Sequence, residues 1–576
     1  MSILDWIVLI VTLVSIIIYG LYKSRTTKNL EGYFLSNRNM PWYLILLSIM
    51  GTQASAITFL SAPGQAFTDG MRFVQYYLGL PIAMIILSIT FVPIFNKLKV
   101  FTAYEFLEHR FDIKTRTFTS ALFLLSRGLS TGISIYAPSI ILSSLLRWDI
   151  FWTNIVMGGL LIIYTVSGGA KAVAYTQQIQ LIIIFVGIFI TAYWVVHLLP
   201  KELGFVDALK ISGIGGKMNV ITTGFSAKGF DWKDKYNIIS GIVGGFFLAL
   251  SYFGTDQSQV GRYLTAKSDR ESKLGLLMNG LVKVPMQFFI LLIGLLLFSF
   301  YQLKEQPIFF NSVQQQQLFN SNKKAEAIKL ENQFHILNQE KKEVIKNWKQ
   351  NQPKVKLQLQ QLNDETYELK NKYKALIKQV GVKGDDNDTN YIFIRFVVDY
   401  LPKGLVGLLI AIIFLAAWGS IAAALNSLAS CTVVDFYCRF KKKHIHPIQS
   451  DEEEIKKYHV SRYATFAWGV FSVIVAELST GMGSLIEVVN IMGSLFYGVM
   501  LGIFLVAFYF KSIKANAVFY AAVVSEIVVI IVFFLDKYNV IGMGFLWLNV
   551  IGVMAVICIS FTLQLFQSFR YKIIKG

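Results

Sequence analysis

The chain has 576 residues, 54% of them hydrophobic and only 15% charged, with 54 Lys and Arg against 35 Asp and Glu for a formal net charge of +19. That balance excludes a soluble globular domain and describes a chain that crosses a bilayer repeatedly. The cation excess reads as membrane topology and attraction to an anionic lipid surface, so the bilayer is the expected partner and nucleic acid is not.

Apolar runs of roughly 20 residues, each enough for a ~30 Å hydrocarbon core, predict about thirteen transmembrane helices, near 4–22, 43–67, 75–96, 117–146, 150–168, 176–199, 237–256, 274–301, 402–429, 461–480, 484–510, 514–535 and 541–567. The first run follows Asp5, lacks a basic leader and has its cations behind it, so it reads as a retained helix with an outward N-terminus.

The second run contains Gly51-Thr-Gln-Ala-Ser-Ala-Ile-Thr-Phe-Leu-Ser-Ala-Pro-Gly-Gln-Ala-Phe67, which is rich in small and hydroxylated residues and ends in a Pro63-Gly64 pair where a break is expected. At bilayer depth a break is tolerated where the freed carbonyls are buried in protein or line a polar cavity. Interrupted helices of that kind build the ion and substrate sites of secondary transporters. A proline kink with small residues for close helix packing accounts for the same letters.

The run 117–146 holds Arg127 about a third of the way in. Arg at depth costs ~2.5–3.5 kcal/mol on insertion scales, so it must face protein, water or a ligand. A planar guanidinium suits a carboxylate, which makes Arg127 the candidate for binding an anionic group. The alternative is a fixed pair with a buried acid, Glu487 or Asp256, or snorkelling toward the cytoplasm.

Residues 305–395 break the apolar pattern. Val355, Leu359, Leu362, Leu369, Tyr373, Leu376 and Val380, with Thr366 in the one polar slot, alternate steps of four and three as a heptad seam does. Phe334, Leu337, Val344 and Trp348 form a looser stripe before Pro353. The expectation is an extracytoplasmic helical-hairpin coiled coil that bends near Pro353. Residues 310–390 are then a candidate docking site for a partner or a second copy, or else a solvated insertion packed on itself. The chain accordingly divides into 1–304, the insert 305–395, and 396–576.

Cys431, Cys438 and Cys558 lack metal spacing and read as small apolar fillers, and His444 and His446 fall in a basic loop. No phosphate-binding loop, catalytic triad or zinc motif appears, so an enzyme is not expected. Short loops rich in Lys and Arg, among them Lys97 to Arg116, Arg262 to Lys273 and Arg439 to Lys443, lie on one side of the predicted helices. They place the N-terminus outside and the C-terminus in the cytoplasm of a plasma (inner) membrane protein.

Five dispersed motifs resemble the sodium:solute symporter family: Gly32-Tyr-Phe-Leu-Ser-Asn-Arg38, Ser61-Ala-Pro-Gly, Thr131-Gly-Ile-Ser-Ile-Tyr-Ala-Pro138, Ser167-Gly-Gly-Ala-Lys-Ala-Val-Ala-Tyr-Thr-Gln-Gln-Ile-Gln180 and Leu250-Ser-Tyr-Phe-Gly-Thr-Asp-Gln-Ser-Gln-Val-Gly-Arg-Tyr-Leu264. The flavour is that of the iodide, multivitamin and monocarboxylate branch. The resemblance implies an all-α multi-pass protein with a LeuT-like core of two inverted five-helix repeats, the first beginning at 43–67 and the second at 237–256. It also implies a sodium ion between the first and eighth core helices, held by the carbonyls of Gly51, Ala54 and Ala416 and by the hydroxyl of Ser420. Broken-helix carbonyls and hydroxyls suit a hard cation. Position 419, a further hydroxyl in the family, is Gly here; the family's Thr-Asp is Thr176-Gln177, and the downstream hydroxyl positions are Ala422 and Ala423. At most one sodium per cycle is therefore expected, at a weakened site.

By position in the family, Gln53, Ser55, Thr58, Tyr136, Tyr252, Phe253, Asn490 and Ser494 join Arg127 as candidates around the solute, with Tyr252 as an aromatic gate. The implied activity is sodium-coupled import of a small organic solute by alternating access, an anion such as a carboxylate or an acidic sugar. The alternatives are a sodium-independent or proton-linked carrier of the same fold, or a sugar symporter.

Overall fold

Backbone groups at bilayer depth must be satisfied within the chain, which leaves helices as the economical solution for runs this apolar. The computed structural model describes residues 1–24, 30–227, 229–346, 352–381, 387–441, 451–479 and 482–575. The described chain is helical apart from loops and one short antiparallel hairpin, Phe225–Ser226 with Gly229–Phe230. Among the described residues nine helices are long and apolar enough to cross a membrane, and Trp42–Gln53, Ile150–Val166 and Ser240–Thr255 are shorter apolar helices. The expected thirteen runs differ from this because several of them are broken into short pieces. His444, His446 and Trp348 lie outside the described residues.

The first half contains α1 (Ile3–Ser24), α2 (Trp42–Gln53), α3 (Ala56–Asp69), α4 (Leu80–Ile86), α5 (Ile113–Leu146), α6 (Ile150–His197) and α7 (Phe205–Ile214). The second contains α8 (Gly245–Thr255), α9 (Gln257–Tyr263), α10 (Asp269–Leu303), the insert helices α11 (Lys324–Lys346) and α12 (Gln352–Gln379), then α13 (Leu405–Cys431), α14 (Asp451–Leu478), α15 (Leu485–Tyr509), α16 (Ala515–Lys537) and α17 (Trp547–Lys575).

Two breaks organise the core. The α2–α3 break falls at Ala54 (φ −80°, ψ 75°) and Ser55 (φ −82°, ψ 175°), and the α8–α9 break at Asp256 (φ −76°, ψ 115°). The expected break at Pro63-Gly64 is not where the chain opens: both residues lie inside α3. Their role is close packing. A Cβ on Gly64 would lie 2.0 Å from the Thr389 carbonyl, and one on Gly294 of α10 would lie 2.2 Å from the Pro63 carbonyl. The stretch 167–180, expected as a connector, is part of the helical element α6. Tyr164 Oη and Thr176 Oγ1 nevertheless meet at 2.8 Å across twelve residues, a separation of ~18 Å on a straight helix. The element therefore doubles back between its two arms, which carries Gln177 into the core.

In the insert, Phe334 and Ala327 of α11 pack with Tyr373, Leu376 and Ile377 of α12, whereas Ile345 near the end of α11 packs with Val355 and Leu359 near the start of α12. That pairing is antiparallel, and the α12 seam residues are buried or half-buried. On α11, the buried residue in this cluster is Ile345, with its neighbour Val344, a member of the stripe expected from sequence, packed against it. The hairpin does not stand free: Ile211 of α7 joins the Ile345 cluster. Burial, with Lys370 close by, pushes the Lys341 ammonium down to about 7. The folded chain thus binds fewer protons than the unfolded chain between about pH 7 and about pH 10, so hairpin stability rises with pH across that window. Lys341→Met should raise hydrogen-exchange protection of 324–379 at neutral pH and flatten its dependence on pH up to 10, measured by mass spectrometry on the full protein.

Candidate solute and cation site

The first break, α5, α8, α13 and α15 line a cavity in the middle of the core. Its wall includes Thr52, Gln53, Ser55 and Thr58 around the first break, Arg127, Thr131 and Ser134 from α5, Tyr252 and Phe253 from α8, Ser420 from α13, and Asn490 and Tyr497 from α15. Eleven of these twelve positions carry a polar group, mostly neutral donors and acceptors suited to hydroxyls, and one of them is a cation.

Arg127 is that cation. It is 9% exposed and its Nε has no hydrogen-bond partner among the described residues. Its Nη1 lies 4.0 Å from Asp256 Oδ2, and its Cζ lies 5.9 Å from the Tyr252 ring centroid. Asp256 is occupied elsewhere: Oδ1 accepts from Ser258 N at 2.7 Å, capping α9, and Oδ2 accepts from Tyr497 Oη at 2.7 Å. The second candidate acid, Glu487, accepts from Lys235 Nζ at 3.1 Å and Tyr236 Oη at 3.0 Å. Asp256 thus balances the charge of Arg127 from behind, while the guanidinium lines the cavity. Tyr252 is held in the wall by Gln259 Nε2, which donates to its Oη at 2.7 Å.

Two solute candidates are misplaced in the sequence reading. Tyr136 is 1% exposed and does not line the cavity. The α5 residues that do, Arg127, Thr131 and Ser134, follow helical spacing, and Tyr136 sits two residues further on, about 200° round the helix. Ser494 is likewise fully buried and accepts from Asn549 Nδ2 at 2.9 Å, facing α17 while Asn490, Gly493 and Tyr497 face the cavity. Thr131, Ser134 and Tyr497 were missed. Helical spacing from Arg127 and Asn490 would have found them.

At the first break, Ser55 N–H donates to Gln53 O at 3.0 Å, which removes the regular helical donor of Gly51 O. Ala54 is 1% exposed and Ala416 is 2% exposed; neither lines the cavity, whereas Ser420 does. Gln177 ties the break to α13. Its Oε1 accepts from Ser48 Oγ at 2.9 Å, and its Nε2 donates to Thr52 Oγ1 at 3.3 Å and to Gly419 O at 3.1 Å. A Cβ on Gly51 would lie 3.0 Å from the Gln177 side chain, and a Cβ on Gly419 would lie 2.6 Å from Gln180 Oε1. The Gly at 419 and the amide at 177 are therefore one packing solution. Ala422 and Ala423 are fully buried against Tyr164 and Val173, and Arg262 Nη2 donates to Ala423 O at 3.4 Å. Ala422 and Ala423 themselves carry no hydroxyl, and the neighbouring Tyr164 Oη and Thr176 Oγ1 bond to each other at 2.8 Å.

Known proteins fit this geometry. The family model described as "Sodium:solute symporter family" matches residues 33–328 and 374–525. The chain belongs to the sodium:solute symporter family. It is 26% identical to a sodium/sialic acid symporter of Proteus mirabilis over 96% of this chain and 93% of that one. It is 25% identical to the sodium-dependent multivitamin transporter of Oryctolagus cuniculus over 88% of this chain and 67% of that one. The substrate-bound outward-open structure of a sodium-coupled sialic acid symporter superposes with a TM-score of 0.73 at 24% identity, covering 98% of each chain. The fold is thus the LeuT-like inverted-repeat core, and this member of the family is a sodium-coupled solute symporter of the membrane, in a family of transporters.

Proposed function

We propose that this symporter imports a small acidic solute of sugar size, of the sialic-acid kind carried by its relatives, together with one sodium ion per cycle. The observation that carries the reading is Arg127, a guanidinium on the cavity wall with Nε unpartnered and with its counter-charge, Asp256, fully engaged behind it. A carboxylate docking on that fork forms charge-assisted bonds, and Thr58, Ser134 and Asn490 are available to hydroxyls. The several neutral hydroxyl and amide groups on the wall favour an acidic sugar, which has hydroxyls to meet them, over a simple two- or three-carbon acid.

The cation is assigned to Gly51, Ala54, Ala416 and Ser420. The released Gly51 carbonyl and the position of Ser420 beside Thr52 and Gln53 support this set. Sodium there fixes the α2–α3 break, and linkage makes each ligand tighten the other by a coupling of ~1–3 kcal/mol. The apolar packing of Ala422 and Ala423 supports one ion. The N-terminus is assigned to the outside and the C-terminus to the cytoplasm, a reading the basic short loops support.

The test is uptake into proteoliposomes of a labelled sialic acid, a monocarboxylate and a neutral hexose, each with an inward sodium or choline gradient. Sodium-driven uptake of the sialic acid alone is expected. Hexose uptake with no response to acids overturns the anion reading, and equal uptake in choline overturns the coupling.

A further inference from the structure

Behind the broken helix, α10 carries a polar stripe that the transport reading does not use. Asn279, Lys283 and Gln287 recur at helical spacing on one face of this apolar helix, and each is 0% or 1% exposed. Asn279 Oδ1, Lys283 Nζ and both amide atoms of Gln287 have no hydrogen-bond partner among the described residues. Asn279 Nδ2 reaches only the sulfur of Met84 on α4, at 3.8 Å.

The depth of Lys283 follows from two close contacts. Gly275 of α10 packs on Ile45 and Trp42 of α2, and Gly294 packs on Pro63 and Ala66 of α3. Lys283 lies eight residues past Gly275 and eleven before Gly294, and the Ala54–Ser55 break lies nine residues past Ile45 and eight before Pro63. The two are level in the bundle.

Among the described residues no charged side chain acts on Lys283. The elements packed on α10 explain why. α4 carries no titratable residue, α2 carries only Tyr43, and α3 carries only Asp69 at its far end. The turn before α4 adds Arg72, Tyr76 and Tyr77, the second arm of α6 adds Tyr175, Tyr193 and His197, and Lys97 together with Arg262 and Tyr263 of α9 meets the end of α10 that holds Asp269, Arg270, Glu271 and Lys273. Asp207 and Lys210 of α7, the α11 side chains, and Arg395 and Asp399 meet the opposite end of α10.

An unpaired ammonium at bilayer depth is costly, and intramembrane ionisable groups of this kind mark ion and proton paths. A neutral amine is easier to bury and can both donate to and accept from the amides one turn away on either side. We propose that Lys283 is a proton-binding site inside the bundle, and that its ammonium and a sodium ion at the α2–α3 break exclude one another. Two positive charges level with each other in a low-dielectric interior repel. When sodium binds, the proton leaves Nζ for the surrounding buffer; when sodium leaves, Nζ takes a proton back. Sodium uptake is then opposed by protons at a site that shares no ligand with it. The inference rests on the assignment of sodium to the broken helix.

Two measurements test it. In a weakly buffered detergent solution with an indicator dye, sodium chloride added to the intact protein should release about one proton per chain, and choline chloride none. In proteoliposomes the apparent sodium affinity should weaken at least about tenfold between about pH 8.5 and about pH 5.5, and Lys283→Met should hold it within about twofold. Lys283→Gln serves as the second variant, and the proton-release arm needs no variant. Sodium-driven uptake without proton release, or an unchanged pH slope in both variants, overturns this proposal alone. Sodium that neither binds nor drives uptake at any pH overturns the sodium assignment with it.

Discussion

Arg127→Met should reduce sodium-driven uptake of an acidic sugar at least about a hundredfold while leaving the stabilisation by sodium alone in place. The guanidinium lines the cavity and its Nε is unpartnered. Losing a charge-assisted, two-pronged contact costs ~3–5 kcal/mol when the partner charge is left buried and uncompensated, or roughly two to four powers of ten. Arg127→Lys should recover little, because an ammonium is a point charge without the planar fork. Removing Arg127 also strands Asp256, which lies 4.0 Å away. The paired variant Arg127→Met with Asp256→Asn therefore separates loss of binding from loss of folding. It should refold and respond to sodium, yet remain silent to the acid. Acid uptake within about threefold of the parent in either variant would remove Arg127 from the solute site.

Gln177→Leu is expected to weaken the apparent sodium affinity roughly ten- to a hundredfold and to lower stability by a few kcal/mol. Leu matches the size of the amide but removes its acceptor for Ser48 Oγ and its donors to Thr52 Oγ1 and Gly419 O. Each buried polar group left without a partner costs ~1–3 kcal/mol. The lost bonds join α2 beside the break to α13, the two walls between which the cation is assigned. The sodium concentration for half-maximal uptake, read with the solute saturating, reports the first effect. Thermal unfolding without sodium reports the second. A variant that loses stability but keeps its sodium affinity would make Gln177 a packing residue only.

The break shows how far local letters reach. Pro63 and Gly64 carry the strongest breaker signal in the second apolar run, yet they sit inside α3, because the Thr389 carbonyl and the backbone contact at Gly294 need that close approach. The chain opens at Ala54–Ser55, where nothing in the local sequence forbids a helix and where Gln177, more than a hundred residues away, engages the neighbouring turn. On α12 the reverse holds. The heptad seam alone predicted the buried face, since a two-helix contact is set by spacing along one helix. Tyr136 and Ser494 lie between these cases: their helices were legible, but the cavity-facing stripe was not.

The letters by themselves determined a multi-pass helical membrane protein and its family, and they singled out Arg127 as a cation at depth that needs a partner. Hydropathy and helical period act over one or two turns, so these features survive without neighbours. Only the tertiary structure decided where the first core helix opens, which faces meet the cavity, that Asp256 backs Arg127 while Glu487 does not, and that Lys283 lies level with the break without a counter-charge. Those outcomes depend on which distant helix supplies a partner or withholds it, and no window along one chain carries that information.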